Sequence, residues 1–231
     1  MAVVWQDFLQ RCFPSMLRPA GRLTLGLTVW AIYLADRLID ARHPAQPHEP
    51  SRHLFYRDHR RTAIVLLAAV TVVDALIATL WLRPAVLSTG LWVAAAVVTY
   101  LGLFALLRVG RERSKRFCAA TLFTAGVFLV GWTSNPHSMS ALMRPAFAFG
   151  ALCLYNLILV DGWEQRHFTG RAAWWAFPLA CAVFWLGDSR WYGAIALSAA
   201  GLAALDLTKG KFSADARHVL ADAVLLTPLV L

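Results

Sequence analysis

The chain has 231 residues, of which 59% are hydrophobic and only 15% charged, whereas soluble domains are about 45–50% apolar and about 25% charged. That balance argues against a water-soluble enzyme and points to one polytopic membrane domain covering residues 1–231. The formal net charge is +9, but Arg and Lys fall in short stretches between apolar runs, which argues against nucleic acid as a partner and for membrane topology.

The N-terminal stretch MAVVWQDFLQRCFPSML is broken by Asp7, Arg11 and Pro14. It lacks the uninterrupted apolar core of a signal peptide and is expected to be retained, with residues 1–20 forming an interfacial or half-spanning helix. A bilayer requires about 20 mostly apolar residues per helix. Eight candidates emerge, at 22–40, 62–82, 85–107, 117–133, 141–160, 172–187, 191–207 and 216–231, so the expected fold is an all-α integral membrane bundle of eight or nine transmembrane helices. The four cysteines, Cys12, Cys118, Cys153 and Cys181, are far apart and form no CxxC, so neither a disulfide framework nor a zinc site is indicated.

Cytoplasmic loops carry the excess of Arg and Lys. The connection after the first span, 41–61, contains Arg42, Arg52, Arg57, Arg60 and Arg61, and the one after the third contains Arg108, Arg111, Arg113, Lys115 and Arg116. Arg166, Arg171, Lys209, Lys211 and Arg217 fall on the same side, while the alternate connections hold little beyond Arg83 and Arg190. The basic loops are therefore expected in the cytoplasm, with the chain in the cell inner membrane. Spans one and five both enter the basic side, and each is followed by three more, which suggests two parallel four-helix halves.

Those two spans also end in acids. Asp36 and Asp40 are spaced i, i+4 and Asp161 and Glu164 i, i+3, so each pair shares a helix face. All four lie where the helix macrodipole is negative and a carboxylate is disfavoured by about 0.3–1 kcal/mol. The structural alternative is neutralisation by Arg37, Arg42 and Arg166. The functional expectation is that the pairs hold Mg2+, a hard ion that prefers oxygen ligands and bridges to phosphates.

With these residues in view, the chain resembles the UbiA superfamily of intramembrane prenyltransferases from about Leu17 onward. IYLADRLID places Asp36 and Asp40 at the last two acids of that family's first Asp-rich motif, NDxxDxxxD, with Ile32 and Tyr33 at its Asn-Asp start. RSKRFCAATLFTAGVFLVGW is similar to the basic pair and small-residue helix of the family, with Lys115, Arg116 and Gly126 at the matching places. YNLILVDGWEQRHF occupies the position of the second motif, with Asp161 and Glu164 where the family has aspartates.

The resemblance implies Mg2+-dependent ionisation of an isoprenyl diphosphate and prenyl transfer to a lipophilic acceptor, of aromatic or quinone type. Asp36, Asp40, Asp161 and Glu164 would be the catalytic metal ligands, Lys115, Arg116, Arg57 and Arg52 the diphosphate-binding residues, and Tyr33, Asn156 and Asp222 would line the substrate cavity. An intramembrane terpene cyclase is the alternative within the family, and a non-catalytic protein that binds membrane lipid or assembles a partner is the alternative outside it. Trp30, Tyr33, Phe104, Phe128, Trp132 and Tyr155 are candidates for a prenyl channel or for ordinary packing. Asp74, in mid-span, is expected to face other helices, because an ionisable group at bilayer depth costs about 2.5–3.5 kcal/mol.

Overall fold

In the computed structural model the described residues are 1–13, 18–41, 56–106, 112–134, 138–164, 189–208 and 212–231. Among them are eight α-helices, a 3-10 turn and no strand. They are α1 (Ala2–Cys12), α2 (Pro19–Asp40), α3 (Arg60–Trp81), α4 (Pro84–Leu106), α5 (Glu112–Ser134), α6 (Ser138–Glu164), α7 (Ser189–Leu207), α8 (Ala214–Val224) and the turn Thr227–Leu229. Arg52 and residues 42–55 of the long loop lie outside the described residues. So do the expected span at 172–187, with Cys181, and the basic loop residues Arg166, Arg171, Lys209 and Lys211.

Four helical stretches, Arg60–Trp81, Pro84–Leu103, Ser114–Ser134 and Met139–Trp163, are long and apolar enough to cross a membrane. The 22 residues of α3 rise about 33 Å at 1.5 Å each, enough for a hydrocarbon core of about 30 Å. Helix α2 starts at Pro19 in its first turn, where a missing N–H costs nothing.

The chain divides into two compact units, Leu17–Gly110 and Met1–Met16 with Arg111–Leu231. This differs from the two equal halves expected from the sequence, because the fourth span, α5, groups with the C-terminal helices. Helix α5 buries Thr124, Val127 and Phe128, and α6 is its main partner.

In the smaller unit α2 and α3 form an antiparallel hairpin, and α4 packs on α2. Thr28 Oγ1 donates to Asp74 Oδ2 at 2.6 Å, so the mid-span acid does bond a neighbouring helix. Away from α2, α3 is apolar and exposed, with Val65, Val72, Leu76 and Leu80 each more than half accessible.

In the larger unit the N-terminal helix is inside. Trp5, Phe8 and Leu9 are at most 3% exposed, and Trp5 Nε1 donates to the carbonyl of Leu225 at 2.9 Å. Trp5, Phe8, Phe128, Phe149 and Trp191 interlock with ring centroids 4.9–6.3 Å apart, the spacing at which aromatic pairs attract. At 11 residues α1 rises about 16 Å, half a bilayer core. Helices α7 and α8 approach closely at Gly201, where an added Cβ would lie 2.7 Å from Val224 Cγ1.

Candidate polar site

In the larger unit four helix ends converge. The start of α5 brings Arg116 against Asp161 at the end of α6, Nη2 to Oδ2. Two residues on, Trp163 Nε1 donates to Asp206 Oδ1 at the end of α7, at 2.9 Å. The guanidinium of Arg217, in the first turns of α8, lies 5.4 Å from the Trp163 ring centre, within the range of cation–π attraction. His218 meets the same indole at 6.2 Å, near edge-on.

Sequence position explains this gathering. Antiparallel helices α5 and α6 place the start of one beside the end of the other. Helix α7 runs parallel to α6, since Trp191 at its start bonds the carbonyl of Pro145 at 3.3 Å near the start of α6, while Asp206 meets Trp163 at the far end. Asp206 is 1% exposed, and a buried carboxylate is tolerated when hydrogen-bonded. Asn156 Oδ1, Tyr155 Oη and Arg217 Nε are buried without a hydrogen-bond partner among the described residues.

In the smaller unit the polar end is formed by the end of α2 and the start of α3. Asp36 Oδ2 lies 3.9 Å from the guanidinium of Arg37, whose Cζ is 5.2 Å from the Tyr33 ring centre. Tyr33 also hydrogen-bonds Tyr56, whose hydroxyl pKa is raised first by burial and next by Tyr33. Arg57, Asp58, His59, Arg60 and Arg61 line a concavity at the start of α3.

The expected site residues are thus divided between the two units. Arg116 and Asp161 touch, and Lys115 precedes Arg116 on α5. Asp36 and Tyr33 share the α2 end in the other unit. The side chains of Asp40, Glu164 and Phe104 lie outside the described residues. Asp222 is on the exposed face of α8, and the α8 residue that joins the polar cluster is Arg217 instead, because Ala221 and Leu225 take the buried face. Of the channel candidates, Phe128 is core packing at 0% exposure and Trp30 and Tyr33 are 44% and 45% exposed.

Sequence reading passed over Trp163 and Asp206, and took Arg217 only as a topology signal. Asp206 falls near the end of an apolar run in GLAALDLTKG, the same signal that singled out Asp161.

Asp36 and Asp161 supply the carboxylate oxygens that Mg2+ favours, and their side chains are 26% and 29% exposed, so in donor type and accessibility they fit that ion. Among the described residues no three His, Cys, Asp or Glu come together as a metal-holding group. No protein-family model, no curated protein and no solved structure matches the chain.

Proposed function

We propose that the chain is an integral inner-membrane protein of eight or nine helices, of the UbiA type it resembles, with its basic ends in the cytoplasm. It ionises an isoprenyl diphosphate and transfers the prenyl group to a lipophilic acceptor. The single observation that carries the reading is the meeting of Arg116 with Asp161 where four helix ends converge, which puts an anion-binding and a cation-binding group side by side at the end of apolar helices.

Lys115 and Arg116 hold the diphosphate oxygens at the α5–α6 end; Arg presents a planar fork suited to them. Asp161 and Glu164 at this end, and Asp36 and Asp40 at the end of α2, are the candidate Mg2+ ligands, and the ion when bound would neutralise charge on the diphosphate. The allylic C–O bond breaks with its electron pair leaving on the diphosphate, and π electrons of the acceptor form the new bond as the acceptor loses a proton. Asn156 and Tyr155, with unmet polar atoms, would line the substrate cavity on the α6 side.

Purified protein given farnesyl or geranylgeranyl diphosphate, Mg2+ and an aromatic acceptor is expected to yield prenylated acceptor, and an Asp161→Asn variant none. Hydrocarbon or terpene alcohol without acceptor would assign a cyclase instead. Absence of any diphosphate release with or without acceptor would remove the enzymatic reading.

A second reading is favoured by the same pair. Arg116 and Asp161 neutralise each other, as they would in a non-catalytic protein that binds lipid or assembles a partner. Unchanged Mg2+-dependent diphosphate binding in an Asp36→Ala, Asp161→Ala variant would overturn the metal-ligand roles given to both residues, and absence of any such binding in the native chain would favour the non-catalytic role.

A further inference from the structure

The start of α3 carries an excess of positive charge where its own helix disfavours it. Arg57, Arg60 and Arg61 stand at or just before the first turn, the positive end of the macrodipole, and that turn contains no acid. Asp58 lines the same concavity. Arg60 and Arg61 are exposed and Arg57 half-buried, so burial does not account for them.

The same helix continues that charged end into an apolar strip. Residues 61, 65, 68, 72 and 76 of α3 succeed one another at three- and four-residue steps and so share one face. Val65, Val72 and Leu76 on it are 68%, 58% and 54% exposed, on a helix long and apolar enough to cross a bilayer. A cationic head above a lipid-length apolar strip has the complement of one molecule type: a phosphate headgroup with acyl chains below it.

We propose that this stripe of α3 binds an anionic phospholipid, its headgroup on Arg60 and Arg61 and an acyl chain along Val65, Val72 and Leu76. Membrane placement of α3 is all that the site requires; prenyl-transfer chemistry is not, so the two stand or fall separately. The anion is a lipid rather than free phosphate or diphosphate because the apolar strip is continuous with the arginines.

The full chain, purified in neutral detergent, is titrated with phosphatidylglycerol or with phosphatidylcholine of the same acyl chains, and bound lipid is read by native mass spectrometry. The anionic lipid is expected to be retained and the zwitterionic one not, with the preference shrinking as salt screens the arginines. Basic residues near a charged lipid surface contribute about 1 kcal/mol each, so Arg60→Gln with Arg61→Gln should weaken retention about thirty-fold. Arg60→Lys with Arg61→Lys, which keeps the charge, should stay within a few-fold of the native chain.

Equal retention of the two lipids, a preference indifferent to salt, or unchanged retention by the double Gln variant would each overturn the site. So would equal protection by inorganic phosphate or diphosphate alone, or a stable dimer that excludes lipid from α3. The salt dependence is read on the native chain and decides the matter even where the Gln variant does not fold.

Discussion

Reversing the Arg116–Asp161 pair separates the two functional readings. In the native chain Asp161 sits in the last turn of α6, where the macrodipole disfavours an anion by about 0.3–1 kcal/mol, and Arg116 lies just beyond the first turn of α5, where a cation gains nothing from it. Both side chains are about a quarter exposed, 22% and 29%, so the pair itself contributes at most about 1 kcal/mol after solvent screening. Arg116→Gln, which leaves Asp161 at the negative end of α6 without this partner, should cost up to about 1 kcal/mol. At about 2–4 °C per kcal/mol for a chain of this length, thermal unfolding in detergent should fall by up to about 2–4 °C. The exchange Arg116→Asp with Asp161→Arg restores the pair and puts an anion at a helix start and a cation at a helix end. It should be as stable as the native chain or more so, by up to about 1 kcal/mol. If the native orientation serves diphosphate and Mg2+, the exchanged protein is stable and inactive. An exchanged protein as active as the native one would refute the roles given to both residues, and one much less stable would refute the dipole reasoning.

Other outcomes are set by individual contacts. Thr28→Val removes the donor to Asp74 and should cost about 0.6–1.7 kcal/mol, read as a lower unfolding temperature that Asp74→Ala in the same chain does not lower further. Trp163→Phe takes one hydrogen bond from the buried carboxylate of Asp206 and should cost about 1.5–3 kcal/mol, measured by the same melt. Gly201→Ala drives a methyl group to 2.7 Å from Val224 and should cost about 1–3 kcal/mol, whereas Gly102→Ala, with nothing within 4 Å, should be neutral or stabilising. The Tyr56 hydroxyl has its pKa raised from 10.0, so the folded state keeps the proton longer than the unfolded chain. Its contribution is therefore flat below pH 10.0 and stability falls as pH rises beyond that; Tyr56→Phe should flatten that alkaline loss in a pH series of melts.

The helices were legible because each apolar run is long and ends in Arg, Pro or Asp. The runs at 62–82 and 85–107 meet α3 and α4 within two residues at either end. The grouping of helices was not legible, since hydropathy marks where a segment is apolar and is silent on which neighbour it prefers. Trp5 illustrates this: with Asp7 and Arg11 nearby, its stretch read as an interfacial or half-spanning helix, yet the indole is one of five interlocking rings with its N–H satisfied by Leu225. Of the polar site, the acids at span ends could be read from spacing, whereas Trp163 and Asp206 are 43 residues apart and meet only because α6 and α7 run parallel.

The two polar ends differ in what an incoming anion would find. In the larger unit Arg116 is engaged with Asp161 and Arg217 lies over Trp163, so a phosphate binding at Arg116 must first displace a carboxylate. At about 1 kcal/mol for that pair, its affinity there is lowered about five-fold unless a cation takes the displaced carboxylate. Diphosphate and a divalent cation should therefore bind this end with positive coupling, each easing entry of the other. At the start of α3, Arg60 and Arg61 are exposed and the acid that lines the concavity with them is Asp58, so binding there should be indifferent to divalent cations. Phosphate-type ligands should thus be sorted by Mg2+: those that need it are expected at the α5–α6 end, and those that do not at the start of α3.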